Sequence, residues 1–237
     1  LADVPEDFRV QLQYSLAVWE EEGLKVVWLE LPISRSGLVP MAVEAGFTYH
    51  HATEAYVMLT RQLLDGAYVP PYATHYIGVG GVVLNPAREL LVVSEKYRQP
   101  NRGPAYKLPG GALQPGEHLA EAAVREVLEE TGVRTSFEFM ACFRHWHGYR
   151  YSKSDIYFVC RLHPLSTEIT IQEEEIAESL WMPVADYLAG EHISDFNKRI
   201  VEAAIASPGV QLTEMDGYAK PEEYEFFMPR DIDLGED

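Results

Sequence analysis

The stretch 111–133, GALQPGEHLAEAAVREVLEETGV, decides more about the fold than any other part of the sequence. Residues of high helix propensity run from position 118 to 131, and Gly132 follows as a helix stop. This segment therefore predicts a glycine-rich loop followed by an amphipathic helix. An apolar face suited to packing on a sheet is formed by Ala120, Val124, Val127 and Leu128.

A second face of the predicted helix is acidic. Glu126, Glu129 and Glu130 stand at i, i+3 and i+4, which places their carboxylates within about 5–6 Å of one another. Because like charges repel, we expect raised pKa values here unless a cation neutralises the group. Oxygen ligands favour Mg²⁺ or Mn²⁺ over zinc. Glu117 begins the helix, complements its dipole and can reach the same cation, while Arg125 can hold a carboxylate in a bidentate pair.

The acidic spacing by itself also fits a solvated helix face, since glutamate-rich helices are common. The preceding loop favours the metal-site interpretation. Gly110 and Gly111 carry no side chains, so phosphate groups and metal ions can approach their peptide groups closely.

The segment 111–133 resembles a known family. It matches every fixed position of the Nudix box, with Gly111, then Glu117, then the run REVLEETGV at 125–133. The chain is therefore similar to the Nudix hydrolase superfamily. The stretches YKLPGG, FRHWHGYRYSKSDIYFVCRLHPLS and ESLWMPVADYL resemble the subgroup of plant ADP-ribose/NADH pyrophosphatases and the animal Nudix protein encoded antisense to a fibroblast growth factor.

The resemblance implies an α/β fold with two domains and a tail. We expect a small α/β pre-Nudix domain over 1–68, similar to half an acetyltransferase fold, in which Phe8, Leu12, Leu16 and Trp19 recur at helical spacing. Two prolines at 70 and 71 mark a linker. A Nudix α/β/α sandwich with a mixed sheet is expected over 73–208. The acidic segment 209–237 follows, and its YEFFMP run is expected to dock on the protein.

The family pattern also implies a reaction. Members bind divalent ions and hydrolyse a nucleoside diphosphate linked to a second moiety, and the subgroup points to ADP-ribose as the substrate, with AMP and ribose 5-phosphate as products. Two or three Mg²⁺ or Mn²⁺ ions are expected, and Arg125 is expected to orient the glutamates. The ligands implied by the pattern are Gly111, Glu117, Glu126, Glu129 and Glu130.

Further site residues are expected outside the box. The general base is expected either in the box or in the later loop QEEEIAESLWM, where Glu175, followed by Glu174, is the candidate and a solvated turn is the equal alternative. Candidate substrate contacts flank the box, and each has a structural alternative. They are Tyr97, Arg98, Tyr106, His147 and Lys153, with Asp155 in the same subgroup-like stretch.

Composition limits the partners. The net charge of −18 repels nucleic-acid backbones and anionic lipid, so neither is expected as a partner without metal ions. No apolar run reaches the roughly 18–20 residues of a membrane span. Two cysteines in apolar runs suggest buried thiols in a reducing compartment, and we expect a cytoplasmic protein. The pre-Nudix domain is too short for a complete acyl-CoA site, which favours a role in forming a homodimer or in closing the substrate pocket.

Alternative functions keep the box and change the substrate or the activity. NADH, FAD, coenzyme A and dinucleoside polyphosphates remain candidate substrates. The zinc site and downstream signature of the NADH-decapping type do not occur in the sequence, nor does an evident coenzyme A signature. A nucleotide sensor without turnover is the alternative from another class. All box glutamates are present, which argues against it.

Overall fold

A computed structural model of the chain describes residues 5–96 and 105–229. Two compact units divide between Thr74 and His75. Tyr97 and Arg98, predicted to contact the nucleotide, lie outside the described residues. None of the helices in the described part of the chain is long and apolar enough to cross a membrane.

The first unit is a small three-stranded antiparallel sheet with helices, in the order β1-β3-β2. Its core contains Phe8, Leu12 and Leu16, so the predicted apolar spacing of the first helix is confirmed. Trp19 packs against this core as a partly buried side chain. The elements are α1 (Pro5–Glu21), β1 (Val26–Pro32), a 3₁₀ helix (Ile33–Leu38), α2 (Val39–Glu44), β2 (Thr48–Ala52) and β3 (Tyr56–Gln62).

The second unit alternates strands with three helices. Strand β4 contains glycines at 78, 80 and 81, and it continues as a strand to Val83 where a Rossmann fold would start a helix. The elements are β4 (His75–Val83), β5 (Glu89–Glu95), β6 (Gly110–Ala112), α3 (Leu119–Thr131), β7 (Thr135–Trp146), a 3₁₀ helix (Arg150–Ser152), β8 (Ser154–Pro164), β9 (Ile176–Pro183), α4 (Val184–Ala189), α5 (Asp195–Ala206), β10 (Val210–Leu212), a 3₁₀ helix (Pro221–Glu223) and β11 (Phe227–Pro229).

The main sheet of the second unit has six strands in the order β11-β10-β7-β8-β4-β6. It is mixed, because β4 and β8 run parallel while the other pairs are antiparallel. A separate two-stranded sheet pairs β5 with β9. The predicted α/β fold with a mixed sheet is confirmed.

Helices cover both faces of this sheet. Alternation along β4 sends Val79 and Val83 into the core that contains Val127 of α3, and sends Val82 into the core that contains Val201 of α5. Each face therefore buries its own apolar cluster, and the acidic helix α3 is anchored by its apolar side against the centre of the sheet.

The acidic segment after residue 209 contributes to the second unit. Its strand β10 pairs with β7 at Val210 and Met140, and β11 pairs with β10. Phe227, from the YEFFMP run, packs against the core beneath α3. The described part of this segment thus extends the main sheet, and the sequence does not predict these two three-residue strands.

Candidate active site

The short strand β6 brings glycine backbone against the acidic face of α3. The Gly110 N–H donates to Glu130 Oε2 at 2.8 Å. A Cβ on Gly110 would lie 2.2 Å from the Val79 carbonyl oxygen, and one on Gly111 would lie 2.6 Å from both Glu126 carboxylate oxygens. A side chain on Gly110 would therefore force β6 away from β4, and one on Gly111 would displace the Glu126 carboxylate. The two glycines are therefore required by close packing at the point where two carboxylates meet the backbone.

Glu126 and Glu130 are carboxylates held out of water. Glu130 is only 6% exposed, and burial raises its pKa to about 7 against the opposing effects of Lys107 and the Gly110 N–H. Burial also raises the pKa of Glu126, although Arg125 acts in the opposite direction. The sequence predicts raised pKa values through mutual repulsion, and the direction is confirmed for Glu126 and Glu130. Loss of hydration is the larger cause, and repulsion adds to it.

Arg125 ties the remaining acidic side chains together. Its Nε and Nη2 donate to the two carboxylate oxygens of Glu117 at 2.6 and 2.8 Å, which is the predicted bidentate pair. Its Nη1 donates to Glu126 at 2.9 Å and to Glu129 at 3.0 Å. The hydrogen bond from Arg125 lowers the pKa of Glu117. One guanidinium therefore fixes three of the four box glutamates in relation to one another.

The start of α3 differs from the sequence prediction. The helix begins at Leu119, so Glu117 precedes it by two residues, and its carboxylate is hydrogen-bonded to Arg125. The helix dipole is complemented by Glu225 instead, whose carboxylate accepts from the backbone N–H of Leu119 and, at 3.0 Å, from that of Ala120. Local sequence cannot reveal this contact because Glu225 lies more than one hundred residues further along the chain.

The donor set suits a hard cation. Within residues 5–96 and 105–229, no three histidine, cysteine or acidic side chains are arranged so that they hold a metal ion. The side chains facing β6 nevertheless include the carboxylates of Glu126, which is partly buried, and Glu130, which is buried, and burial raises the pKa of both. A bound divalent cation would stabilise their charged forms, and oxygen donors of this kind match Mg²⁺ or Mn²⁺.

The other predicted site residues make their contacts outside the box. Glu175 is exposed in a turn, and its carbonyl accepts from the Lys96 N–H at 2.8 Å. Tyr106 donates its hydroxyl to Glu178 Oε2 at 2.8 Å. His147 Nδ1 lies 2.9 Å from Ser154 Oγ, and Lys153 Nζ lies 5.8 Å from the Tyr76 ring centre. No hydrogen bond or ion pair found among the described residues joins Glu175 to the box glutamates.

Two residues that sequence reasoning missed lie beside Glu130. Lys107 forms an ion pair with Glu95, and both charges act on the pKa of Glu130. The pairing of Lys107 with Val93 across the end of β5 brings them there. Lys107 belongs to the run YKLPGG, but its ion-pair partner Glu95 lies in β5. The pairing between them can therefore be identified only once the strands are known to pair.

Family models match both units of the chain. The family model described as "NUDIX domain" matches residues 74–203, and one described as "Nudix hydrolase domain" matches residues 1–63. "Nudix hydrolase 8" of Arabidopsis thaliana is 44% identical over 202 residues, covering 84% of this chain and 55% of that protein.

Similarity extends to an animal protein and to a solved structure. "Nucleoside diphosphate-linked moiety X motif 6" of Homo sapiens is 36% identical over 197 residues, covering 81% of this chain and 61% of that protein. The chain thus spans a little over half the length of these two relatives. A structure of a NUDIX hydrolase from Nitrosomonas europaea aligns with a TM-score of 0.47 and 23% identity, covering 55% of this chain and 88% of that one.

Proposed function

This chain belongs to the Nudix hydrolase family, and from that premise we propose that it hydrolyses ADP-ribose to AMP and ribose 5-phosphate. The family acts on nucleoside diphosphate derivatives and generally uses divalent metal ions. ADP-ribose is the finer part of the proposal. It is supported by the similarity to the subgroup of plant Nudix hydrolases and the human protein.

One observation carries the proposal. Glu130 is buried and Glu126 partly buried against the glycine backbone of β6, and burial raises the pKa of both. Two desolvated carboxylates in such a place are costly for a stable fold unless a cation uses them. We propose that Glu126, Glu129, Glu130 and Glu117, with the Gly111 carbonyl, hold two or three Mg²⁺ or Mn²⁺ ions.

The bound ions would supply neutralisation of the pyrophosphate and a water of lowered pKa. The protein supplies positioning. Arg125 keeps Glu117, Glu126 and Glu129 in a fixed arrangement through its hydrogen bonds. The Gly110 N–H directs the Glu130 carboxylate. Arg125 therefore acts through the glutamates and does not need to touch the substrate.

Proton transfer requires a base within reach of the attacking water. We propose Glu175, whose turn is attached through its backbone to Lys96 at the end of β5. Its exposed side chain is free to move when substrate binds, and catalytic hydrogen bonds often tighten only in the complex. Tyr97, Arg98, Tyr106, His147 and Lys153 remain the proposed substrate contacts.

The experiment is a turnover panel with Mg²⁺ and Mn²⁺ over ADP-ribose, NADH, FAD, coenzyme A and diadenosine polyphosphates. We expect the highest kcat/KM for ADP-ribose, with AMP and ribose 5-phosphate identified by chromatography. A higher kcat/KM for another compound would replace the substrate, and no turnover of any would favour the nucleotide sensor.

A matched pair of variants tests the assignment of the site. Glu129→Gln removes an exposed box carboxylate, and Glu121→Gln removes an exposed carboxylate from the same helix. We expect the first to lose most of the Mg²⁺-dependent activity and the second to retain it. Full activity of Glu129→Gln would contradict the metal-site assignment.

We further propose that the protein is a cytoplasmic homodimer assembled through the first unit. That unit has its own apolar core, which supports independent folding. Gel filtration of a chain beginning near Tyr72 tests the proposal, and an unchanged oligomer would count against it.

A further inference from the structure

A cavity of about 230 Å³ opens beside the carboxylate cluster of the second unit. One of its walls is Gly110, whose N–H holds Glu130. We call it the α5 cavity, because the first turn of α5 closes it. Besides Leu108, the residues that line it are Lys107, Gly110, Arg144, Tyr157, Phe196 and Asn197.

Both cations at the α5 cavity already have carboxylate partners. Lys107 pairs with Glu95, and Arg144 pairs with Asp155, which is only 7% exposed. The cavity is therefore close to neutral. A phosphate group placed there would compete with these carboxylates for the same donors, so its charge would gain little. The charge pattern favours an uncharged ligand group at this place.

Flat surfaces dominate the rest of the α5 cavity. The Arg144 guanidinium carbon lies 5.0 Å from the centre of the Trp146 ring, 5.8 Å from that of Tyr157 and 5.2 Å from that of Phe196. Its Nε is buried without a hydrogen-bond partner in the described part of the chain. A guanidinium plane and aromatic rings are surfaces on which planar heterocycles stack.

Two further features fit a planar polar ring. Gly80 leaves room for the Tyr157 ring, since a Cβ there would lie 1.9 Å from the tyrosine oxygen. Asn197 lines the cavity with a side-chain amide, which both donates and accepts hydrogen bonds. A volume of about 230 Å³ is below the roughly 300–1,000 Å³ of pockets for whole drug-sized ligands, so it suits one ring system.

We propose that the α5 cavity binds the nucleobase of the substrate, with Phe196 and Asn197 as specificity-determining residues. The inference rests on the proposed function for one point, that the phosphates lie at the carboxylates beside Gly110. The base then stacks against Arg144, Tyr157 and Phe196, and Asn197 hydrogen-bonds its edge.

The test measures binding of small probes that the enzyme does not cleave. AMP, GMP, CMP, UMP and ribose 5-phosphate are titrated by calorimetry into the full chain with Mg²⁺. The variants are Phe196→Leu, which removes the ring but keeps apolar volume, and Asn197→Ala. Phe143→Leu is the matched control, because Phe143 is an exposed phenylalanine of the same unit that does not line the cavity.

We expect at least one nucleotide to bind about tenfold or more tighter than ribose 5-phosphate. Phe196→Leu and Asn197→Ala should each reduce that advantage about fivefold or more and leave ribose 5-phosphate binding unchanged. Phe143→Leu should behave as the wild type. The inference would be overturned if no nucleotide binds more tightly than ribose 5-phosphate. It would also be overturned if neither variant reduces the affinity advantage of the nucleotide, or if the variants weaken nucleotide and ribose 5-phosphate binding equally.

Failure of the proposed function would give different experimental results from failure of the nucleobase site. If the turnover panel shows no hydrolysis while base-dependent binding still requires Phe196, the proposed function fails and the nucleobase site stands. If ADP-ribose is hydrolysed but binding does not depend on Phe196 and Asn197, the nucleobase site alone fails.

Discussion

The region before α3 and the last turn of α3 both carry acidic side chains, yet in opposite electrostatic situations. Glu117, before the helix, meets Arg125 through two hydrogen bonds, and its pKa is lowered. Glu130, in the last turn, is 6% exposed and bonded to a backbone N–H, and its pKa is raised to about 7. The charged form of a glutamate side chain is therefore stabilised in the first region and destabilised in the second.

The difference shows where the protein leaves charge unbalanced. In the first region the Arg125 guanidinium balances the negative charge of Glu117. In the second, the partial positive charge of one N–H and the nearby Lys107 do not compensate for lost hydration. Because desolvated carboxylates bind divalent cations strongly, we infer that the region around Glu126 and Glu130 is the functional one. Arg125 of the first region then serves to hold the neighbouring glutamates in place.

The largest effect is expected when the unbalanced region loses its charge. Glu130→Gln keeps the size and an acceptor for the Gly110 N–H but removes one anionic ligand. We expect kcat with saturating Mg²⁺ to fall by at least about a hundredfold, a loss of roughly 3 kcal/mol of transition-state stabilisation. Steady-state kinetics on the best substrate of the panel measures it. Glu121→Gln is the control, and near wild-type kcat in Glu130→Gln would remove the distinction between the two regions.

A smaller effect is expected when the balanced region is disturbed. Arg125→Lys retains the positive charge but cannot bond Glu117 bidentately while also reaching Glu126 and Glu129. We expect about a tenfold to hundredfold loss of activity, as for residues that orient metal ligands. In a double-mutant cycle with Glu117→Gln, the combined loss should be smaller than the sum of the two single losses, because both changes disturb the hydrogen bonds between Arg125 and Glu117. Simple additivity of the two losses would show that Arg125 does not act through Glu117.

The two regions should also differ in how they respond to pH in the metal-free protein. Burial raises the pKa of Glu130 in the folded protein to about 7, from the ordinary glutamate value of 4.5. Between these values the folded state keeps a proton that the unfolded state has lost, so stability falls as pH rises. The cost is complete above pH 7 and is on the order of 1–3 kcal/mol. Glu117, with its lowered pKa, contributes in the opposite direction.

The comparison that isolates Glu130 is wild type against Glu130→Gln. Urea unfolding in EDTA at pH 5 and pH 8 should show that the variant gains stability relative to wild type at pH 8, with a smaller difference at pH 5. Added Mn²⁺ should stabilise the wild type at pH 8 more than the variant. An equal difference at both pH values would mean that Glu130 does not carry the raised pKa.

The smallest effect is expected at the helix start. Glu225→Gln leaves the backbone N–H groups of Leu119 and Ala120 with a neutral acceptor in place of a carboxylate. We expect a loss of about 0.5–1 kcal/mol of unfolding free energy. Glu222→Gln, at an exposed position of the same segment, is the control. A loss of the same size in both variants would show that surface charge, and not the cap, is responsible.

Sequence reasoning reached the helix and its glutamates because their information is local. Helix spacing determines which side chains share a face, and Gly132 ends α3 as predicted. The main strands also agree with their apolar runs, such as HYIGVGGVVLN for β4 and KSDIYFVCRL for β8. The mixed character of the sheet came from the family resemblance, since strand pairing is not written in any single run.

The parts that sequence reasoning missed depend on contacts between distant segments. Glu225 reaches the start of α3 only because β10 and β11 join the edge of the sheet. Lys107 reaches Glu130 through its pairing with β5. Arg144 meets Asp155 and Phe196 through the packing of β7, β8 and α5. Each of these residues is unremarkable in its own stretch of sequence, and its role arises from tertiary placement.

The most direct test of the central claim is a Mn²⁺ titration of the metal-free protein, with free ion followed by electron paramagnetic resonance. We predict that the wild type binds two to three ions at pH 7.5, that Glu121→Gln binds as many, and that Glu130→Gln loses at least one of them or binds it about tenfold or more weakly. Equal number and affinity in wild type and Glu130→Gln would contradict the account.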